Sequence, residues 1–151
     1  MQDFDEHENR LWRSLMRLNG ALPRLLDDDL ARGANLSLSE FAILLVLTEA
    51  GVSGRRMTDL ALAGGLSPSR ATRVVAELER RGLVEKARTE ADGRGSVAVA
   101  TTAGRKAFRA AYPIQVSRAR EVLFDDMKPG DVVKMADALT QLLRRVNAAD
   151  R

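Results

Sequence analysis

Leu66-Ser67-Pro68-Ser69-Arg70-Ala71-Thr72-Arg73-Val74-Val75 runs on through Leu78-Glu79-Arg80-Arg81-Gly82-Leu83-Val84. Ser67 is a good N-cap, and Pro68 suits the first position of a helix. Val74, Val75 and Leu78 recur on one side, and Gly82 supplies the C-terminal turn. The spacing predicts a helix from Pro68 to about Arg81. Its first turn and a half carries Ser69, Arg70, Thr72 and Arg73. Arg70 and Arg73 are three apart and share a face. A helix N-terminus offers unpaired N–H groups and partial positive charge to phosphate. Arg can read guanine O6 and N7 in a major groove, and Thr can meet a thymine methyl. A solvated basic face on an ordinary amphipathic helix has the same local pattern.

Working towards the C-terminus, Leu83 to Arg88 alternates weakly and reads as a strand. Thr89 to Gly95 is a polar hairpin loop, and Ser96 to Ala100 is the return strand. The loop region holds Arg88, Glu90, Asp92 and Arg94. Arg94 is expected to enter a minor groove, whose negative potential attracts an inserted Arg. Asp92 is expected to pair with Arg88 or Arg94 and shape the loop; a hairpin tip of mutually compensating charges is the alternative. Thr101 can cap a helix from Thr102 to about Phe124, bent by Pro113. Met127 to Gly130 reads as a turn. A last helix carries Val132, Met135, Ala136, Leu139, Leu142, Leu143 and Val146 at three- and four-residue steps.

Towards the N-terminus, Thr58 is a plausible cap for a short helix ending at Gly64-Gly65. Arg55 and Arg56 precede it and read either as phosphate contacts or as surface charge, and Arg80 and Arg81 likewise read as solvated charge. Ser37 or Ser39 can cap a helix from Glu40 to about Glu49 whose sides are almost all apolar, so it should be buried. The first helix runs from about Asp5 to Arg32, with a stripe of Leu11, Leu15, Leu18, Leu22, Leu25 and Leu26. Pro23 should kink or split it. Asp27, Asp28 and Asp29 point in different directions and read as an acidic surface.

Charge follows this order. The 151 residues carry 24 Lys and Arg, only four of them lysines, against 21 acids, a net charge of +3. Residues 1–40 are acidic by three charges, residues 55–94 basic by three and residues 105–151 basic by four. An anionic partner should therefore meet the middle of the chain. There is no cysteine and a single histidine, His7. Disulfides, thiol chemistry and cysteine zinc sites are excluded, and no phosphate loop, nucleophile–base pair or metal-ligand spacing is present. The chain reads as no enzyme and as needing no cofactor or metal. Six aromatic residues, none in the helix or loop above, argue against single-stranded nucleic acid. The longest apolar run, Phe41 to Leu47, is too short to span a bilayer, and the start is too acidic for a signal peptide. A cytoplasmic protein, on the nucleoid when bound to DNA, is expected.

The helix and strand from Leu66 to Val84 resemble the recognition helix and first wing strand of the MarR (multiple antibiotic resistance regulator) family of winged-helix transcription factors. Arg88 through Asp92-Gly93-Arg94 to Thr101-Thr102-Ala103-Gly104 is similar to that family's wing and the start of its fifth helix. Leu38-Ser39-Glu40-Phe41 through Leu47 is similar to its second. The resemblance implies a mainly α fold with a small β-wing. A winged helix-turn-helix lobe over 37–101 would be flanked by helical dimerisation regions at 1–36 and 102–151. It implies a homodimer on pseudo-palindromic double-stranded DNA, acting as a ligand-responsive repressor. Ser67, Ser69, Arg70, Thr72, Arg73, Arg88, Asp92 and Arg94 are the candidate DNA contacts. It further implies a small anionic or phenolic effector, with Trp12, Leu15, Met16, Asn19, Phe41 and Phe108 as candidate lining residues and Arg13 or Arg17 for an anion. Plain core packing would account for the same six. A winged helix serving only protein–protein assembly is the rival function, and the Arg70, Arg73 and Arg94 set weighs against it.

Overall fold

The computed structural model describes residues 3–88 and 96–149. Helices α1 (Glu6–Ala34), α2 (Leu38–Ala50), α3 (Met57–Ala63) and α4 (Pro68–Arg80) precede the wing. Strand β1 (Arg55–Arg56) lies before α3, and β2 (Val84–Arg88) and β3 (Ser96–Ala100) follow α4. Helix α5 (Thr102–Ala119) continues into a π-helical segment, Arg120–Phe124, and α6 (Pro129–Ala149) ends the described chain. Two compact units result, Met1–Gln115 and Val116–Arg151, with the break inside α5.

The core of the first unit is built around α2. Phe41, Ile43, Leu44, Val46 and Leu47 are all buried, as an all-apolar helix requires. Leu30 of α1, Leu60 of α3, Val75 and Leu78 of α4, Val84 of β2, and Phe108 and Ala111 of α5 close around it. Each fully buried Leu contributes about 1.5–3 kcal/mol of transfer free energy.

Several starts and stops follow local chemistry. Asp5 caps α1 through a reciprocal box with Glu8, at 2.8 and 2.9 Å. Ser37 and Glu40 make the same box at the start of α2. Ser37 is therefore the cap of the two serines considered, and Ser39 is buried in the first turn. Other expectations need correction. Helix α1 is not split: 29 residues run through Pro23. One intrahelical bond is lost there, and burial of Leu26 and Leu30 holds the helix regardless. Helix α3 starts at Met57 after Arg56, with no side-chain cap, so Thr58 is an exposed helical residue and not the N-cap. Pro129 and Gly130 open α6 and do not form the preceding turn, Pro being suited to a first helical position.

The wing has three strands and not two, in the order β1-β3-β2, all antiparallel. Val84 pairs with Ala100 and Arg88 with Ser96, while Arg55 pairs with Ala98. Gly54 makes the added strand possible: its φ is 61°, and a Cβ there would run into the Ala98 carbonyl.

The Thr101-x-x-Gly104 motif joins the wing to α5. The Thr101 hydroxyl donates to the Gly82 carbonyl at 2.8 Å and accepts from the Gly104 N–H at 3.0 Å. Arg105 donates to the Ala100 carbonyl. Gly104 is buried, and any Cβ would collide with the Leu83 carbonyl oxygen. Gly104→Ala is expected to cost about 1–3 kcal/mol through overpacking, despite Ala being the better helix former. Urea unfolding of the two proteins checks this; equal midpoints would refute it.

The second unit contains the π-helical segment and α6. Val133, Leu143 and Val146 are 60%, 61% and 63% exposed, and no residue of α6 is buried. No single helix among the described residues is long and apolar enough to cross a membrane.

Candidate nucleic-acid interface

Helix α4 is two-sided. Ala71, Val75 and Leu78 are buried, while Ser69, Arg70, Thr72 and Arg73 are exposed on the outer side. Its start is rigid. The Ser67 hydroxyl accepts from the Arg70 N–H at 3.3 Å and lies 3.3 Å from the Ser69 hydroxyl. Thr72 Oγ1 donates to the Pro68 carbonyl at 2.9 Å. That bond uses the hydroxyl proton and fixes the rotamer of Thr72. Among the described residues, neither Arg70 nor Arg73 has an acidic partner.

The far end of α4 is different. Arg80 makes a two-pronged pair with Glu77, at 2.9 and 2.6 Å. The hydrogen bond from Arg80 holds the Glu77 carboxyl below its ordinary pKa and raises that of Arg80 in turn. Glu79 pairs with Lys86 of β2 at 2.9 Å. Within α4, positive charge without a countercharge is thus confined to the N-terminal half.

Two grooves flank this half. Arg70, Arg73, Val74 and Glu77 line one of them with Ser37 and Glu40. Arg70 also borders the other, opposite Asn19, Arg24 and Asp27 of α1 and beside Gly64 and Gly65. Arg55 and Arg56 are exposed on β1. Arg88 occupies the last position of β2, and Asp92 and Arg94 lie outside the described residues.

The six candidate lining residues divide. Phe41 and Phe108 meet in the core with ring centroids 5.3 Å apart, and Tyr112 meets Phe108 at 5.6 Å with its ring tilted by 53°. Trp12 and Met16 are exposed, Trp12 against Phe4 at 6.2 Å, and Leu15 is half-buried. Asn19 lines the groove beside Arg70. Arg13 and Arg17 line a shallow groove on α1 with Arg10, Glu6, Asn9 and Ser14. No group of three or more potential metal ligands occurs among the described residues.

Two polar residues read as surface charge have structural partners. Asp27 Oδ1 accepts the Leu38 N–H at 2.7 Å, tying α1 to the first turn of α2. Arg81 donates to Glu40 Oε1 at 2.8 Å and to the Asn35 carbonyl at 2.7 Å. Arg81 and Glu40 lie 41 residues apart in sequence, so no local spacing announces the pair.

A helix-turn-helix with a small antiparallel wing, its second helix exposing arginines at the N-terminal half, defines a winged helix-turn-helix protein. Residues 34–95 match the model of the MarR family. The crystal structure of AbsC, a MarR family transcriptional regulator from Streptomyces coelicolor, is 29% identical, with a TM-score of 0.87 over 98% of this chain and 99% of that one. Sco3205, a MarR family transcriptional regulator from the same organism solved in complex with DNA, is 28% identical, with a TM-score of 0.83 over 97% and 89%. CouR from Rhodococcus jostii RHA1, solved bound to p-coumaroyl-CoA, is 26% identical, with a TM-score of 0.75 over 85% and 87%. No curated protein sequence matches the chain. The winged lobe thus matches the MarR family model, and over nearly its whole length the chain has the fold of that family's transcriptional regulators.

Proposed function

We propose that this protein is a sequence-specific double-stranded DNA-binding transcriptional regulator, a cytoplasmic homodimer that represses from a pseudo-palindromic operator. The observation that carries the reading is the exposed Arg70, Thr72 and Arg73 face of a helix whose other face is buried. That face fits a major groove, with Ser67 and Ser69 at the helix start placed for phosphate. The wing would add Arg88 and Arg94, shaped by Asp92. The likeness to Sco3205 in complex with DNA supports the same use of the fold.

Exposed apolar side chains on α1 and α6, among them Leu11, Trp12, Leu18, Leu139 and Leu143, support a dimer formed by the terminal helices of 1–36 and 102–151. A small anionic or phenolic effector would release DNA by binding the DNA-incompetent dimer more tightly. CouR bound to p-coumaroyl-CoA supports an effector on this fold. The lining of its site would draw on Asn19, which borders the groove beside Arg70, and on exposed Trp12 and Met16 and half-buried Leu15, whereas Phe41 and Phe108 meet in the core.

Selection of binding sites from random duplexes, followed by a salt titration on the best one, tests the function. The expected result is a pseudo-palindrome with half-sites about one helical turn apart and affinity that falls steeply with salt. Weak binding at low salt with no enriched sequence would refute DNA recognition and favour an assembly module.

A further inference from the structure

We infer that Arg81 is a positioning residue for DNA recognition: it clamps the end of the recognition helix to the junction of α1 and α2. The inference rests on the DNA-binding reading of α4.

Three elements meet at one guanidinium. Arg81 is the C-cap residue of α4. One of its terminal nitrogens donates to Glu40 Oε1 at 2.8 Å, and the other to the Asn35 carbonyl at 2.7 Å. Asn35 is the left-handed C-cap of α1, with φ 52°. The second oxygen of Glu40 accepts the Ser37 N–H at 2.7 Å and the Ser37 hydroxyl at 3.0 Å, completing the cap of α2. Glu40 thus divides its oxygens between its own helix start and the recognition helix. The side chains of Arg81 and Glu40 retain 24% and 11% of their exposure, so the pair is shielded from screening more than the surface pair of Arg80 and Glu77. The bond from Leu38 to Asp27 ties the same end of α2 back to α1.

Arg81 sits at the opposite end of α4 from Arg70 and Arg73, while its partner Glu40 lines the groove beside them. A helix held at its C-terminus by a planar two-pronged contact has its tilt set there, and tilt is amplified along the helix to the groove-facing residues. Lysine cannot reproduce a fork that spans two acceptors. Arg81 needs no contact with DNA for this role.

Three proteins test it: wild type, Arg81→Met and Arg81→Lys. For each, affinity is measured on the selected duplex and on a random duplex of the same length, beside thermal unfolding. The expected result for Arg81→Met is a loss of about tenfold in the ratio of specific to non-specific affinity, the size of one misread base pair. Arg81→Lys is expected to lose nearly as much despite keeping its charge. Losing only thermal stability, or losing both affinities equally, would overturn the role. If the wild type selects no duplex, the DNA reading fails separately, and hydrogen exchange decides the clamp without DNA. Faster exchange over residues 68–80 in Arg81→Met, with α5 unchanged, supports it; unchanged exchange in α4 overturns it.

Discussion

Replacing Arg70 by alanine is expected to lower affinity for the selected duplex by roughly 10- to 100-fold and to relax selectivity at the base pair it reads. Arg70 is exposed in the first turn of α4, beside a helix start that Ser67 holds in place. It has no acidic partner among the described residues, so no internal ion pair must be broken before it meets a base. A good two-pronged contact to guanine is worth about 1–3 kcal/mol of discrimination. Arg73, one turn further on the same face, is expected to behave similarly. Arg80→Ala is the contrast: its charge is already satisfied by Glu77, and a change within about threefold is expected. Fluorescence anisotropy on the selected duplex and on single-base variants reads all three. Equal small losses for Arg70, Arg73 and Arg80 would mean that α4 does not read bases.

Leu44→Ala is expected to destabilise the protein by about 2–5 kcal/mol, with a fall in Tm of roughly 4–20 °C for a chain of this size. Leu44 is fully buried on α2. Its Cδ2 would lie 3.4 Å from a Cβ on Gly104, where α5 packs closely. Truncation leaves a cavity between α2 and α5 that cannot close, because the Gly104 backbone already lies against the Leu83 carbonyl. The platform beneath the wing is lost with it. Denaturant unfolding measures the cost; less than about 1 kcal/mol would mean that α2 is not the central core element.

What was legible in the sequence was local. Ser67 before Pro68, Gly82 after α4, and the choice of Ser37 or Ser39 before α2 mark helix ends because capping partners lie within four residues. The polar loop from Thr89 marks Ser96 to Ala100 as the return strand β3, although nothing in the sequence marks the short strand β1. Two residues have no detectable period, and β1 exists because Gly54 adopts positive φ against β3. Pro23 does not split α1, because tertiary packing of Leu26 and Leu30 holds the helix beyond it. The exposed face of α4 was readable from spacing alone. The partners of Asp27 and Arg81 were not, since both depend on chain segments brought together only by folding. The wing tip, with Asp92 and Arg94, lies outside the described residues.

Guanine methylation interference on the selected duplex tests most directly the claim that α4 arginines read a two-fold site. Methylating guanine N7 blocks the atom that Arg approaches in the major groove. The expected result is loss of binding at guanines in two half-sites whose centres are about 10–10.5 base pairs apart, with the half-site signal weakened in Arg70→Ala. Interference that is absent, confined to one half-site, or unchanged in Arg70→Ala would contradict it.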